Sequence, residues 1–309
     1  MYFFSMTNAV DTRGRRTFYS TERDHSIAYS ERVLPLFEFL NLHGLANTAY
    51  ISEYLKDVYR PTGLNGVVLR MLLGDYIGTP AAQRECDRAI YNRYVYDLVE
   101  RGEFALRHEG QFAHTIKPSG YFEHQYLTAT ITASIHLGCV AAGLTYIPGH
   151  EIIEAAGLEL TRHRNVPSCP KTKLKPDQLF GIEYPDGTWR VFLVEADRGT
   201  EPGQSTSRRK SYRSNIETYK RYVEDGLYKS HLGVDTGVCV LYVFTSPAYE
   251  ELFHDQLEAI HGKTGCTYIL TQSVEGFIPK FKPLEPYTYL FTGAWRRHGK
   301  AARFINKSS

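Results

Sequence analysis

The sequence predicts an α+β protein built from two domains, and three observations predict it. The chain has 309 residues, enough for two cores at roughly 100–200 residues per domain. Up to about residue 74 apolar residues recur at helical spacing in short pieces, and beyond that they begin to alternate. The second half sets one long helical stretch among apolar runs closed by Gly, Pro and Asp. With 42% hydrophobic and 23% charged residues, the composition excludes a disordered, collagenous or low-complexity chain.

Residues 1–30 are polar and irregular and read as a loose arm. From Glu31 the pattern turns helical: Val33, Leu34, Phe37 and Leu40 share a face, and the helix ends near Gly44. Asn47 is placed to cap a second helix with Ile51, Tyr54 and Leu55 on one side, which Pro61 stops. Thr62 is placed to cap a third, carrying Leu64, Val67, Val68, Met71 and Leu72 and closed by Gly74. Past Tyr76-Ile77, a stretch alternates around Tyr94, Tyr96 and Leu98 and turns at Glu100-Arg101-Gly102. Three helices followed by a β-hairpin is the order of a winged helix-turn-helix, assigned to residues 31–118. A small helical cap on an enzyme is the alternative.

The second half, residues 119–285, opens on a helix from about Phe122 to Ala142 and a strand-like LTYIPGHEII. A basic loop leads to Pro176 and the strand DQLFGIEY, and Pro185-Asp186-Gly187 suits a tight turn into the strand WRVFLVEAD. A helix from about Gln204 to Asp225, the strand VCVLYVF, a helix from Ala248 to about His261 and the short strand CTYIL complete it. The order is α-β-β-β-α-β, a mixed sheet covered by helices, followed by a basic tail at 286–309.

No run reaches about 18 apolar residues, so no membrane span is expected. The five cysteines are scattered without a CxxC, which argues against a disulfide framework or zinc ribbon and for a reduced, cytoplasmic chain. The net charge of +2 hides an asymmetry. Residues 160–220 carry 12 basic and 7 acidic side chains, a local +5, and the last 24 residues carry five basic and no acidic ones. A solvated face is the plain reading of such runs. Here they surround the candidate carboxylates, which points to a nucleic-acid partner.

Asp177 stands at the start of one strand, and Glu195 ends the next after four apolar residues, with Asp197 two positions on. Strand residues i and i+2 share a face, so Glu195 and Asp197 project together. If the strands pair through the Pro-Asp-Gly turn, Asp177 comes alongside Glu195. Buried like charges repel, so such a cluster calls for a cation, and hard oxygen donors suit Mg²⁺. The plainer reading is three carboxylates at a sheet edge, paired with Arg198, Lys175 or Arg208.

Together, Pro176-Asp177, the gap of 17 residues, and Glu195-x-Asp197 within α-β-β-β-α-β resemble the PD-(D/E)xK, restriction-endonuclease-like fold. The phrase VEADRGTEP, the following helix with Tyr219 and Tyr222, and the preceding winged helix resemble the replication-relaxation family of plasmid and mobile-element proteins, over roughly Leu34 to Leu270. The resemblance implies double-stranded DNA as partner, other replication or mobilisation proteins beside it, and a role in plasmid or phage replication or mobilisation. It leaves a homodimer open and implies no membrane role. It also implies Mg²⁺ held by Asp177 and Glu195 and DNA phosphodiester cleavage. Asp197 occupies the position of the family fold's lysine. Lys210 on the next helix is the preferred substitute, ahead of Arg198, Arg208, Arg209 and Arg213; otherwise hydrolysis is lost and a DNA-binding scaffold remains.

Other motifs carry less. His150-Glu151 with Glu154 reads HExxE rather than HExxH, in a strand-like run, with Glu151 a supplementary metal ligand at most. His163 and Cys169 are a lone pair. No phosphate-binding glycine loop and no His-hydrophobe-His site for a tyrosine nucleophile occurs. For DNA contact, the third helix is expected to present Thr62, Asn65 and Arg70 to the major groove, with Lys56 and Arg60 on phosphates. Pairing of Arg70 with Asp75 or a neighbouring acidic residue is the plain alternative. Arg13, Arg15, Arg16 and the basic residues Arg296, Arg297, Lys300 and Arg303 would add phosphate contacts.

Overall fold

The computed structural model describes residues 23–80, 95–114, 121–159, 166–199, 211–274, 276–277 and 284–307. The chain divides into two compact units, Met1–Thr115 with Ile278–Pro286, and Ile116–Phe277 with Tyr287–Ser309. It is a mixed α+β protein.

In the first unit a 3₁₀ turn, Glu31–Val33, leads into α1 (Leu34–His43), followed by β1 (Ala46–Asn47), α2 (Thr48–Tyr54) and α3 (Pro61–Leu73). Next come β2 (Ile77–Gly78), β3 (Val95–Leu98) and α4 (Glu100–His108). The three strands form an antiparallel sheet in the order β1-β3-β2, with Ala46 opposite Tyr96 and Ile77 opposite Leu98. Buried Leu36 and Phe39 extend the apolar surface of α1 beyond the face expected from Val33, Leu34, Phe37 and Leu40. Each such side chain contributes about 1.5–3 kcal/mol on burial.

Asn47 caps α2 as expected: its Oδ1 accepts from the N–H of Ala49 at 2.8 Å and of Tyr50 at 3.2 Å. Its Nδ2 donates to Leu284 O at 2.8 Å. The cap of α3 differs from expectation. Arg60 holds that position, and Pro61 begins the helix, where its missing N–H costs nothing because the first helical N–H groups have no intrahelical acceptor. The expected turn at Glu100-Arg101-Gly102 is instead the first turn of α4, whose acids lie at its N-terminus and Arg107 and His108 at its end, matching the helix dipole. Gly102 is required there, because a Cβ would collide with the Tyr76 carbonyl and the Leu98 side chain.

The second unit begins with α5 (Phe122–Ala142), β4 (Thr145–Pro148), α6 (Gly149–Ala155), β5 (Gln178–Glu183) and β6 (Trp189–Asp197). It continues through α7 (Tyr212–Glu224), α8 (Leu227–Leu232), β7 (Val238–Phe244), α9 (Pro247–His261) and β8 (Ile269–Ser273). It closes with α10 (Tyr289–Thr292), β9 (Trp295–Arg297) and β10 (Lys300–Arg303). One seven-stranded sheet runs β10-β9-β8-β7-β6-β5-β4. The pairs β6–β7 and β7–β8 are parallel and the others antiparallel. Central β6 and β7 are buried almost throughout; β7 reads as an unbroken apolar run, whereas in β6 the apolar residues 191–194 lead into the buried Glu195 and Asp197.

Three expectations are corrected in this unit. The His150-Glu151 run is not strand but the first turn of α6, so Glu151 is not on the strand preceding Asp177. Segment 286–309, expected as a tail, contributes α10 and the hairpin β9–β10 to the sheet. The last core strand starts at Ile269 rather than Cys266. His163, the arm arginines Arg13, Arg15 and Arg16, and the start of the helix expected from Gln204 lie outside the described residues.

Candidate functional site

The turn Tyr184–Thr188 sets the geometry of the acidic centre. Tyr184 N–H donates to Thr188 O at 2.8 Å, and Thr188 Oγ1 donates to Asp186 Oδ1 at 2.6 Å. The register that follows pairs Gln178 with Val194, so Asp177 stands opposite Glu195, one step further out. Its own N–H donates to Val194 O at 3.0 Å.

Each carboxylate of the centre is held by named donors. Asp177 Oδ1 lies 3.1 Å from His124 Nε2, in the first turn of α5, and Oδ2 accepts from the Ala196 N–H at 2.9 Å. Glu195 is buried, and its Oε1 accepts from the Tyr219 hydroxyl at 2.5 Å. Asp197 is equally buried and accepts from the Gly199 N–H. Gly199 adopts φ 74°, and a Cβ there would run into the Tyr249 ring.

The electrostatics follow from burial. Desolvation raises the Asp197 pKa above the usual carboxylate value, bonds from Gly199 and Tyr212 oppose the shift, and the Asp177 charge adds to it. Burial, and then the Glu195 charge, holds the Tyr219 phenol far above its ordinary range, so it acts as a neutral donor. Arg198, one of the cations expected beside these acids, pairs with Glu123 at 3.5 Å instead. Arg213 pairs with Glu217 at 3.0 Å along α7. Arg208, Arg209 and the preferred Lys210 lie outside the described residues.

Asp177, Glu195 and Asp197 are thus brought together at the ends of β5 and β6. Among the described residues, however, no group of three or more His, Cys, Asp or Glu side chains is arranged to hold a metal ion. The donors available to Mg²⁺ are the Asp177 and Glu195 carboxylates, both already accepting hydrogen bonds from the protein. Glu151 is exposed on α6; partial desolvation of its carboxyl, and then the neighbouring Glu154 charge, raise its pKa above the ordinary value.

Sequence reasoning missed three groups here: His124, Tyr212 and the role of Tyr219. Tyr212 and Tyr219 are seven apart on one helix and hence share a face, a signal that was readable. His124 carries no such signal, because it meets Asp177 across 53 residues of chain.

In the first unit, α3 buries Leu64, Val68 and Met71 and exposes Thr62, Asn65 and Arg70. Arg60 is exposed at its start, and exposed Lys56 pairs with Glu53 at 2.7 Å. Asp75 Oδ1 pairs with Arg23 at 3.0 Å.

Among the described residues, no helix is long and apolar enough to cross a membrane. A family model described as Replication-relaxation matches residues 37–238. No curated protein and no solved structure matches the chain.

Proposed function

The chain belongs to the replication-relaxation family, and from that premise we propose that it is a DNA-binding protein acting in plasmid or phage replication or mobilisation. Its first unit serves as a winged helix with α3 as the recognition helix. The observation that carries this reading is the two-sided character of α3, apolar and buried on one side, with Thr62, Asn65 and Arg70 exposed on the other. Arginine reads guanine and asparagine reads adenine in the major groove, and such side chains on one exposed face fit that task. Lys56 and Arg60 would touch phosphates. The antiparallel sheet β1-β3-β2, in the same unit as α1, α2 and α3, supports the same reading.

The test is duplex binding followed by fluorescence anisotropy across salt concentrations. Neutralising about 5 phosphates gives a log–log slope near −4 to −5. A slope near zero, or no binding at about 50 mM salt, removes the reading.

A second reading adds DNA cleavage, and one observation favours it: Asp177 stands opposite Glu195 across β5 and β6. In this reading Asp177 and Glu195 hold Mg²⁺, which would polarise a phosphate and activate water. Asp197 and Lys210 complete the catalytic candidates. Its rival is a non-catalytic accessory protein whose acids serve as a hydrogen-bonded centre. Melting with and without Mn²⁺ or Mg²⁺ separates them. Cleavage expects a metal-dependent gain in Tm that Asp177→Asn or Glu195→Gln abolishes. Metal-independent melting with intact DNA leaves the accessory protein.

A further inference from the structure

Among the described residues three tyrosines are exposed, Tyr121, Tyr249 and Tyr289, and all three stand at one edge of the large sheet. That edge is where β6, β7 and β8 end, with Asp197, Phe244 and Ser273 in one row, and where antiparallel β5 begins. Tyr249 packs on the Gly199 backbone just past β6, since a Cβ at Gly199 would run into its ring. The Tyr289 hydroxyl donates to Ser273 O at 3.3 Å, at the end of β8. Tyr121 is the cap residue of α5, its carbonyl accepting from the His124 N–H at 3.0 Å. His124 reaches Asp177 at 3.1 Å and Glu123 pairs with Arg198 at 3.5 Å, so the start of α5 is held beside β5 and β6. A single exposed aromatic is ordinary on a protein surface, but three gathered on one edge mark a binding surface.

The same edge carries exposed positive charge. Lys171, Lys173 and Lys175 are exposed on the turn that leads into Asp177. Backbone bonds hold this turn: Lys173 N–H donates to Cys169 O at 2.7 Å, and Cys169 N–H to Leu174 O at 3.0 Å. Cys169 and Leu174 are buried beneath it. Glu195 and Asp197, by contrast, are buried. Open α/β sheets take their ligands outside the carboxyl ends of parallel strands. Lysines beside aromatic rings suit a single nucleic-acid strand, because cations follow the phosphates while the rings stack on bases. In a duplex those base faces are hidden in the stack.

We propose that this edge binds single-stranded DNA, its bases stacked on Tyr121, Tyr249 and Tyr289 and its phosphates held by Lys171, Lys173 and Lys175. The site goes beyond the duplex-binding and cleavage readings, because neither α3 nor a metal ion takes part in it.

The test measures fluorescence anisotropy of the full chain with two labelled probes, oligo-dT of about 16 nucleotides and a random-sequence duplex. Tyr121→Ala and Tyr249→Ala are each expected to weaken oligo-dT binding about 5- to 150-fold, whereas Tyr121→Phe and Tyr249→Phe keep the ring and the affinity. Duplex affinity should change in none of these variants. Lys171→Gln/Lys173→Gln/Lys175→Gln is expected to flatten the oligo-dT salt slope by about 2, at about 0.7 per contact on a single strand. Oligo-dT binding without duplex binding removes the α3 reading and leaves this site standing. Duplex binding without oligo-dT binding at about 50 mM salt does the reverse. Folded Tyr121→Ala and Tyr249→Ala variants that match wild type on oligo-dT, or that lose equally on both probes, overturn the proposal. An unchanged slope in the lysine variant does so too, as does a Phe variant that loses as much as its Ala counterpart.

Discussion

The Tyr219 hydroxyl and the Glu195 carboxylate meet at 2.5 Å, the phenol from α7 closing over an acid at the end of β6. Both are buried. The acid is thus oriented by a group that stays protonated at any working pH, because burial and the Glu195 charge hold the phenol far above its ordinary range. Removing that donor leaves a buried carboxylate short of one bond, at a cost of about 1–3 kcal/mol. Tyr219→Phe is therefore expected to lower Tm by several degrees while leaving the far-UV spectrum intact. Unchanged melting would mean that Glu195 takes its stabilisation elsewhere.

Asp197 is expected to behave in the opposite sense. Its folded pKa is raised above 3.8, so its favourable contribution is present below that value and is lost as pH rises through the folded pKa. Near neutral pH the wild type carries the cost of a buried charge. Asp197→Asn keeps the Oδ1 that accepts from Gly199 and removes the charge, so it should raise Tm at pH 7 and leave it nearly unchanged near pH 3. Destabilisation at pH 7 would point to a bound cation.

His136 governs the acid side. It is stacked on Tyr146 at 4.4 Å, and burial lowers its pKa from 6.5 to about 4. The neutral ring fits the folded state, so its contribution is present above pH 6.5 and is lost as pH falls towards about 4. His136→Phe preserves a stacking ring without a titrating group. Its Tm should fall less steeply than wild type between these two values, as read by calorimetry. Parallel curves would exclude His136 as a source of acid sensitivity.

Arg70→Ala is expected to cost about 1–3 kcal/mol on a specific site and little on random DNA if the guanidinium reads a base edge. Equal losses on both would make it a phosphate contact. No loss on either would move the reading helix elsewhere.

Much of the second unit was legible because its signals are local. Helix α5 ends where expected, at Ala142 before Gly143, and β6 and β7 coincide with the expected strands WRVFLVEAD and VCVLYVF. Asp177 and Glu195 could be brought together on paper because one tight turn sets their register. Helices α4 and α6 were not legible, since seven to nine residues leave too few turns for a helical period to stand out from a strand or turn. The hairpin β9–β10 was hidden for a different reason: it joins the sheet through Arg296 opposite Thr271, and composition alone records only its charge. His124 reaches Asp177 from another element altogether.

The two outermost strands of the large sheet have a consequence for solubility. An outer strand offers a row of backbone groups to which a second chain can add, the first step of edge-to-edge aggregation. Here β4 ends at Pro148, which has no N–H to offer, and β10 carries Lys300 and Arg303 with an irregular register between them. Both are devices that discourage strand addition. The hairpin also covers β8, whose Ile269 and Leu270 are fully buried. A chain cut before Trp295 would present β8 as its border, and such a protein should precipitate at lower concentration than the uncut chain.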